Sequence, residues 1–140
     1  MSLGGMTRTI MRMLAEKDRR MKTEVAIKKE IVAYLDSLGE RCWHVAYHNL
    51  GYGRRGAPDR IVCYRGRFLA LEVKRPPEER KKNPEAEKWQ EREIAAIETA
   101  EGVAEVVWSV ERVREIIEEI DVADEASKLP RRFGQPYHGH

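Results

Sequence analysis

The sequence predicts an α/β domain in which a mixed β-sheet is flanked by helices. The chain has 140 residues, 41% of them hydrophobic, which suffices for one core but hardly for two. Segments whose apolar residues follow helical spacing alternate with short runs rich in β-branched and aromatic residues. Two of these short runs are joined by only two residues, which indicates an antiparallel hairpin within the sheet.

The first half of the domain is predicted to be a helix followed by a strand. From Thr23 onward apolar residues recur every three to four positions, and a glycine follows as a C-terminal stop. Residues 41–48 (RCWHVAYH) favour a strand, and we expect Trp43 and Tyr47 to lie in the core. Residues 49–58 hold three glycines and a proline and are predicted to be a loop.

The second half begins with the hairpin. Its strands are residues 59–64 (DRIVCY) and 67–74 (RFLALEVK), and its turn is Arg65-Gly66. Both faces of this pair are apolar, so we expect the two strands to be central and covered on both sides. The remaining elements are predicted to be a charged loop, a helix, a strand and a final helix, at residues 75–84, 85–101, 104–109 and 110–120.

The hairpin register brings two carboxylates together. With a two-residue turn, opposed residue numbers sum to 131, so Tyr64 faces Arg67 and Asp59 faces Glu72. Opposed carboxylates at the end of a buried hairpin repel each other unless a cation lies between them. Opposed Cβ atoms are about 4.5–5.5 Å apart, so both groups can bind one divalent ion, and such oxygen ligands suit Mg²⁺ or Mn²⁺. Lys74 lies on the same strand face and can reach a water held by that ion, which predicts a hydrolytic metal site.

An alternative reading gives these residues no chemistry. Asp59 would then be a turn or cap residue, and Glu72 and Lys74 would form an ordinary ion pair. A slip of one residue in register would also remove the geometric argument. The metal site is favoured by the combination of Pro58-Asp59 after a glycine-rich loop, a hairpin, and Glu-Val-Lys at the end of a buried run.

Two further polar residues lie on apolar helix stripes. Glu24 precedes Ile27 and Ile31 on the first helix, and Gln90 precedes Ile94 on the second. Spacing alone favours ordinary boundary residues in both cases. With a metal site present, Glu24 would help to hold metal or water, and Gln90 would hydrogen-bond a phosphate.

Together these residues resemble the PD-(D/E)xK nuclease superfamily. Within it they look like the virus-type replication-repair nuclease (VRR-NUC) branch, which is similar to archaeal Holliday junction resolvases. The resemblance is carried by residues 56–59 (GAPD), the hairpin, Glu72-Val-Lys74 and the helix with Gln90, and it spans residues 23–113. It implies a restriction-endonuclease-like core that hydrolyses phosphodiester bonds of structured DNA with Mg²⁺ or Mn²⁺. The expected substrate is a four-way junction, and the expected assembly is a homodimer. We expect the protein to come from a phage or a DNA-repair system.

The resemblance also implies roles for the hairpin residues. Asp59 and Glu72 would bind the metal together with the backbone carbonyl of Val73. Lys74 would orient or activate the attacking water. These groups would form the catalytic centre.

Outside the hairpin, the resemblance implies further catalytic residues, and the loops that flank the site then offer a surface for DNA. Glu24 matches the acidic residue on the first helix of the superfamily and would be a further metal ligand. Gln90 matches the downstream glutamine of the branch. Residues of two loops would hold the DNA: Tyr52, Arg54, Arg55, Arg75, Lys81 and Lys82.

Charge is distributed unevenly along the chain. The net charge is +2, but residues 1–22 carry +4, residues 54–82 carry +6 and residues 85–125 carry −10. The summed charge cannot drive binding to a polyanion, whereas a locally basic face can. We therefore expect the acidic helices to face away from DNA.

The predicted organisation is a basic amphipathic arm (1–22), a nuclease domain (23–120) and a loosely ordered tail (121–140). No apolar stretch is long enough to cross a bilayer, and two cysteines cannot form a disulfide framework, so we expect no membrane contact and a cytoplasmic location, in a bacterial, phage or host cell interior. Two other functions stay open: a flap, nicking or restriction-type nuclease of the same fold, and a catalytically inert DNA-binding module.

Overall fold

The computed structural model describes residues 7–13, 22–48 and 55–127. The helices are α1 (residues 7–13), α2 (Glu24–Ser37), α3 (Pro84–Thr99) and α4 (Val110–Ser127). The strands are β1 (Cys42–Ala46), β2 (Arg60–Tyr64), β3 (Arg67–Val73) and β4 (Val103–Val107). None of the helices in these ranges combines the length and the apolar character of a membrane-spanning segment.

The four strands form one mixed sheet in the order β1-β2-β3-β4. β1, β2 and β3 pair antiparallel, whereas β4 runs parallel to β3 after a crossover through α3. One face of the sheet packs against α2 and α4 to form the core, and α3 packs against β4. The predicted α/β class, a mixed central sheet flanked by helices, is therefore confirmed.

Helix α2 follows the predicted pattern closely. The Thr23 hydroxyl caps its first turn by accepting a 3.1 Å hydrogen bond from the Ala26 N–H. The apolar stripe Ile27, Ile31 and Leu35 is fully buried against the sheet. This places the start of α2, with Glu24, beside the end of the hairpin.

The hairpin turn forms at Arg65-Gly66, as predicted. Both residues have positive φ angles, 48° and 82°, which is the requirement of a type I′ turn. Arginine rarely adopts such a φ, but Arg65 is held by contacts to other elements. Its N–H donates to the Arg41 carbonyl, and its guanidinium donates to Asp121 on α4 at 2.9 Å.

Helix α4 continues to Ser127, past the predicted end at Ile120. The prediction of a loosely ordered tail is therefore wrong for residues 121–127. The added turns are anchored because the buried Tyr64 hydroxyl donates to Asp121 at 2.9 Å. These contacts come from a distant strand, so local composition does not indicate them. Residues 128–140 lie outside the described ranges, as do residues 1–6 and 14–21 of the predicted arm.

The expectation that the hairpin is covered on both faces is wrong at one end. Trp43, Cys63 and Phe68 form a cross-strand row on the face opposite the core, and Trp43 and Phe68 are 61% and 44% exposed. Tyr47 is also exposed, so the core assignment of Trp43 and Tyr47 fails. A helix about 10 Å wide cannot cover four strands spaced about 4.8 Å apart. Because α3 packs against β4, the β1 side of this face is left exposed among the described residues.

Candidate active site

The two predicted carboxylates meet where the hairpin opens. Arg60 pairs with Leu71, and continuing the same register places Asp59 opposite Glu72, as predicted. Asp59 is fixed in place because its Oδ2 accepts a 2.9 Å hydrogen bond from the Val73 N–H. The backbone at the end of β3 therefore holds the Asp59 carboxylate.

Glu72 is half-buried, and one oxygen of its carboxylate is enclosed without a hydrogen-bond partner among the described residues. Its Oε1 accepts a hydrogen bond from Gln90, but its Oε2 is buried and has no hydrogen-bond partner in the described part of the chain. Burial and the neighbouring Asp59 charge raise the pKa of Glu72 from 4.5 to about 7, while Lys74 and Lys28 partly oppose this rise. A carboxylate with one free buried oxygen beside a second carboxylate has the chemistry to accept a cation.

Gln90 joins Glu72 to Lys74. Its side-chain N–H donates to Glu72 Oε1 at 3.1 Å, and its side-chain oxygen accepts from the Lys74 ammonium. Both ends of the amide are therefore used within the site, whereas the sequence suggested a phosphate contact. Gln90 sets the relative position of the carboxylate and the ammonium.

Gly56 allows α3 to bring Gln90 this close. Gly56 has a φ of +76°, and a Cβ on it would lie 2.4 Å from the Trp89 carbonyl carbon and 2.6 Å from the Gln90 nitrogen. Only glycine fits a position with both a positive φ and such a close backbone approach. Because Gly56 has no side chain, the loop before Asp59 can pack directly against the backbone of α3.

Glu24 reaches the site indirectly. It lies in the first turn of α2, is largely exposed, and contacts the Lys28 ammonium at 3.5 Å. The same ammonium lies 3.8 Å from Asp59 Oδ2. Sequence reasoning missed Lys28, although its i,i+4 spacing from Glu24 was a usable signal.

The donor set of this site fits a divalent cation of the hard, oxygen-binding type. It consists of the opposed carboxylates of Asp59 and Glu72, which lie beside the backbone of Val73. The Oε2 atom of Glu72 is buried and free among the described residues. Within the described ranges no three His, Cys, Asp or Glu side chains come together as a ready ligand cluster. Backbone oxygen and water would have to complete the shell, which is normal for Mg²⁺.

The predicted DNA-binding residues are only partly placed. Tyr52 and Arg54 lie outside the described residues. Arg55, Lys81 and Lys82 are exposed, whereas Arg75 is half-buried. Arg55 also contacts the Trp89 ring, 5.6 Å from its centroid, at the mouth of a cleft of about 330 Å³ beside Gln90.

The mixed sheet, the crossover helix and the hairpin site define a domain with a restriction-endonuclease-like core, which is a nuclease fold. A solved structure described as "VRR_NUC domain" matches with a TM-score of 0.53 and 27% identity, covering 69% of this chain and 97% of that one. Over nearly the whole length of that domain, this chain is therefore similar to a VRR-NUC domain in both sequence and fold. No protein-family model matches the chain, and neither does any curated protein.

Proposed function

We propose that this protein is a Mg²⁺- or Mn²⁺-dependent endonuclease that cuts structured DNA, with four-way junctions as its preferred substrate. The observation that carries the proposal is the free buried oxygen of Glu72, opposite Asp59 and linked through Gln90 to Lys74. A repulsive carboxylate pair destabilises a fold unless a cation joins it. A module that only binds DNA has no use for that pair.

In this proposal the chain's own groups have distinct tasks. Asp59, Glu72 and the Val73 carbonyl hold the cation, with Glu24 as an outer acidic group. When bound there, Mg²⁺ or Mn²⁺ would polarise a phosphoryl oxygen and stabilise the charge that develops on it. Lys74 orients the attacking water, and Gln90 keeps the Lys74 ammonium beside Glu72.

The DNA backbone would be held by basic residues on the loops around the site. Arg55 is supported by its exposure and its position beside the Gln90 cleft. Lys81 and Lys82 are exposed on the loop that leads into α3, and Arg75 directly follows Lys74 at the end of β3. Tyr52 and Arg54 belong to the segment just before Arg55. We assign the nuclease domain to residues 23–120 and the remainder of α4.

We further propose that two copies assemble, because symmetric cutting of a four-way junction needs two sites. The exposed row Trp43, Cys63 and Phe68 supports a self-complementary apolar interface on the open face of the sheet. Trp43→Ser with Phe68→Ser should convert a dimer into a monomer in light scattering. A wild-type monomer would contradict the assembly and would favour cover of this face by the chain's own N-terminal residues.

The direct test is cleavage of a labelled four-way junction, beside flap and linear duplexes, with Mg²⁺, Mn²⁺ or EDTA. We expect paired nicks across the junction that need metal and disappear in Lys74→Ala, while junction binding by Lys74→Ala persists. The control is Lys29→Ala, which removes one exposed lysine from α2 and should cut normally.

The other outcomes separate the alternatives. Metal-dependent cutting of flaps or linear DNA would retain the active site and reject the junction preference. Binding of DNA without cleavage of any substrate by the wild type would favour the inert module. Cleavage unaffected by Lys74→Ala would contradict the site itself.

A further inference from the structure

Lys28 is a cation already present at the candidate metal site. Its Nζ lies 3.5 Å from Glu24 Oε2 and 3.8 Å from Asp59 Oδ2, so one ammonium spans a carboxylate of α2 and a carboxylate of the hairpin. Asp59 Oδ2 is also the oxygen that accepts from the Val73 N–H. Lys28 therefore neutralises part of the charge that the metal site concentrates.

The surroundings of Lys28 allow it to move. Its side chain is 40% exposed, and Glu24 and Asp59 are 46% and 32% exposed, so the ammonium is held at the surface of the site. It borders a cavity of about 120 Å³ that also touches Asp59 and Val73. That volume has room for several waters. A lysine stem with four rotatable bonds can leave one carboxylate for another anion nearby without any backbone shift.

Building on the proposed nuclease function, we propose that Lys28 is an exchangeable cation of the active site. In the metal-free protein it holds Glu24 and Asp59. When a divalent ion occupies the site, Lys28 leaves Asp59 and binds a phosphate oxygen of the DNA. Lys28 is thus a substrate-binding residue that becomes available only once metal is loaded.

This exchange follows from charge. A divalent ion and an ammonium compete for the same carboxylate oxygen, and the divalent ion wins once Glu72 also binds it. The displaced ammonium remains near the hairpin, where the scissile phosphate would lie. Removing Lys28 should therefore have opposite effects on the two ligands: metal binds more tightly and DNA binds less tightly.

The test measures Mn²⁺ binding to the full chain by titration calorimetry or electron paramagnetic resonance, without DNA. Lys28→Met should bind Mn²⁺ about three- to tenfold more tightly than wild type, the range expected for loss of one or two half-exposed ion pairs. Lys28→Arg should bind it several-fold less tightly, because a guanidinium grips carboxylates through two parallel hydrogen bonds. Lys29→Met changes the net charge equally on another side of α2 and should leave Mn²⁺ affinity unchanged.

The DNA arm uses the Lys74→Ala background so that the junction stays intact. With saturating Mn²⁺, adding Lys28→Met should weaken junction binding several-fold, whereas adding Lys29→Met should not. If Lys28→Met binds both Mn²⁺ and DNA more weakly, as a general folding defect would cause, the inference is overturned. It is also overturned if Lys28→Met binds Mn²⁺ with the affinity of Lys29→Met, or if its DNA affinity is unchanged. Absence of Mn²⁺ binding by the wild type would instead refute the proposed metal site itself, and this inference with it.

Discussion

Gly56→Ala tests how the loop before Asp59 and helix α3 together build the site. Gly56 has a φ of +76°, and an added Cβ would lie 2.4 Å from the Trp89 carbonyl carbon, where ordinary contact begins near 3.4 Å. The backbone of α3 would have to retreat by about 1 Å at Trp89 and Gln90. Because Gln90 links Glu72 to Lys74, this shift should reach the site directly.

The free-energy cost has two separable parts. An alanine in the left-handed region costs about 1–2 kcal/mol. The overlap with the α3 backbone adds about 1–3 kcal/mol, as for overpacked cores. Gly39→Ala is the matched control, since Gly39 has a φ of +68° but no atom within 4 Å of its added Cβ. It should carry the first cost alone.

Urea unfolding of both variants, followed by circular dichroism, measures the two costs. Gly56→Ala should lose clearly more free energy of unfolding than Gly39→Ala. In the cleavage assay at temperatures where it stays folded, it should also lose on the order of 10²-fold in kcat, the effect of a misplacement near 1 Å. Equal stability losses in the two variants, or wild-type cleavage by Gly56→Ala, would refute the reasoning.

Three other predictions follow from the site and the core. The pKa of Glu72 is raised to about 7, so in EDTA the folded protein binds more protons than the unfolded chain between pH 4.5 and 7. The free energy of unfolding of the wild type therefore falls as the pH rises through that window. Glu72→Gln should therefore be more stable than wild type at pH 8, on the order of 2 kcal/mol, and equal to it near pH 4 by urea unfolding; a pH-independent difference would contradict the shift. Gln90→Leu should keep the fold by circular dichroism but lose about 10–100-fold in cleavage rate, because Glu72 and Lys74 lose their shared partner. Asp121→Ala should cost about 1–3 kcal/mol by leaving the buried Tyr64 hydroxyl unpaired; adding Tyr64→Phe should restore much of that loss, and failure to do so would place the cost in the Arg65 contact instead.

The sequence by itself determined the hairpin and the facing of its carboxylates. A two-residue turn and a strand period of two leave one register, so Asp59 and Glu72 had to face each other once residues 59–74 formed a hairpin. The buried apolar stripe of α2 could be predicted equally well, since it depends only on the spacing of apolar residues along the chain. The family resemblance rested on these local features.

Tertiary structure alone decided how helices meet the hairpin. The contacts of Gln90 with Glu72 and Lys74, and of Lys28 with Asp59, depend on where α3 and α2 lie against the sheet. The exposed row at Trp43 and the extra turns of α4 have the same origin. Side-chain period shows which residues share a face of one element, but the placement of elements depends on packing between distant segments, and no local pattern encodes how much of a sheet a single helix covers.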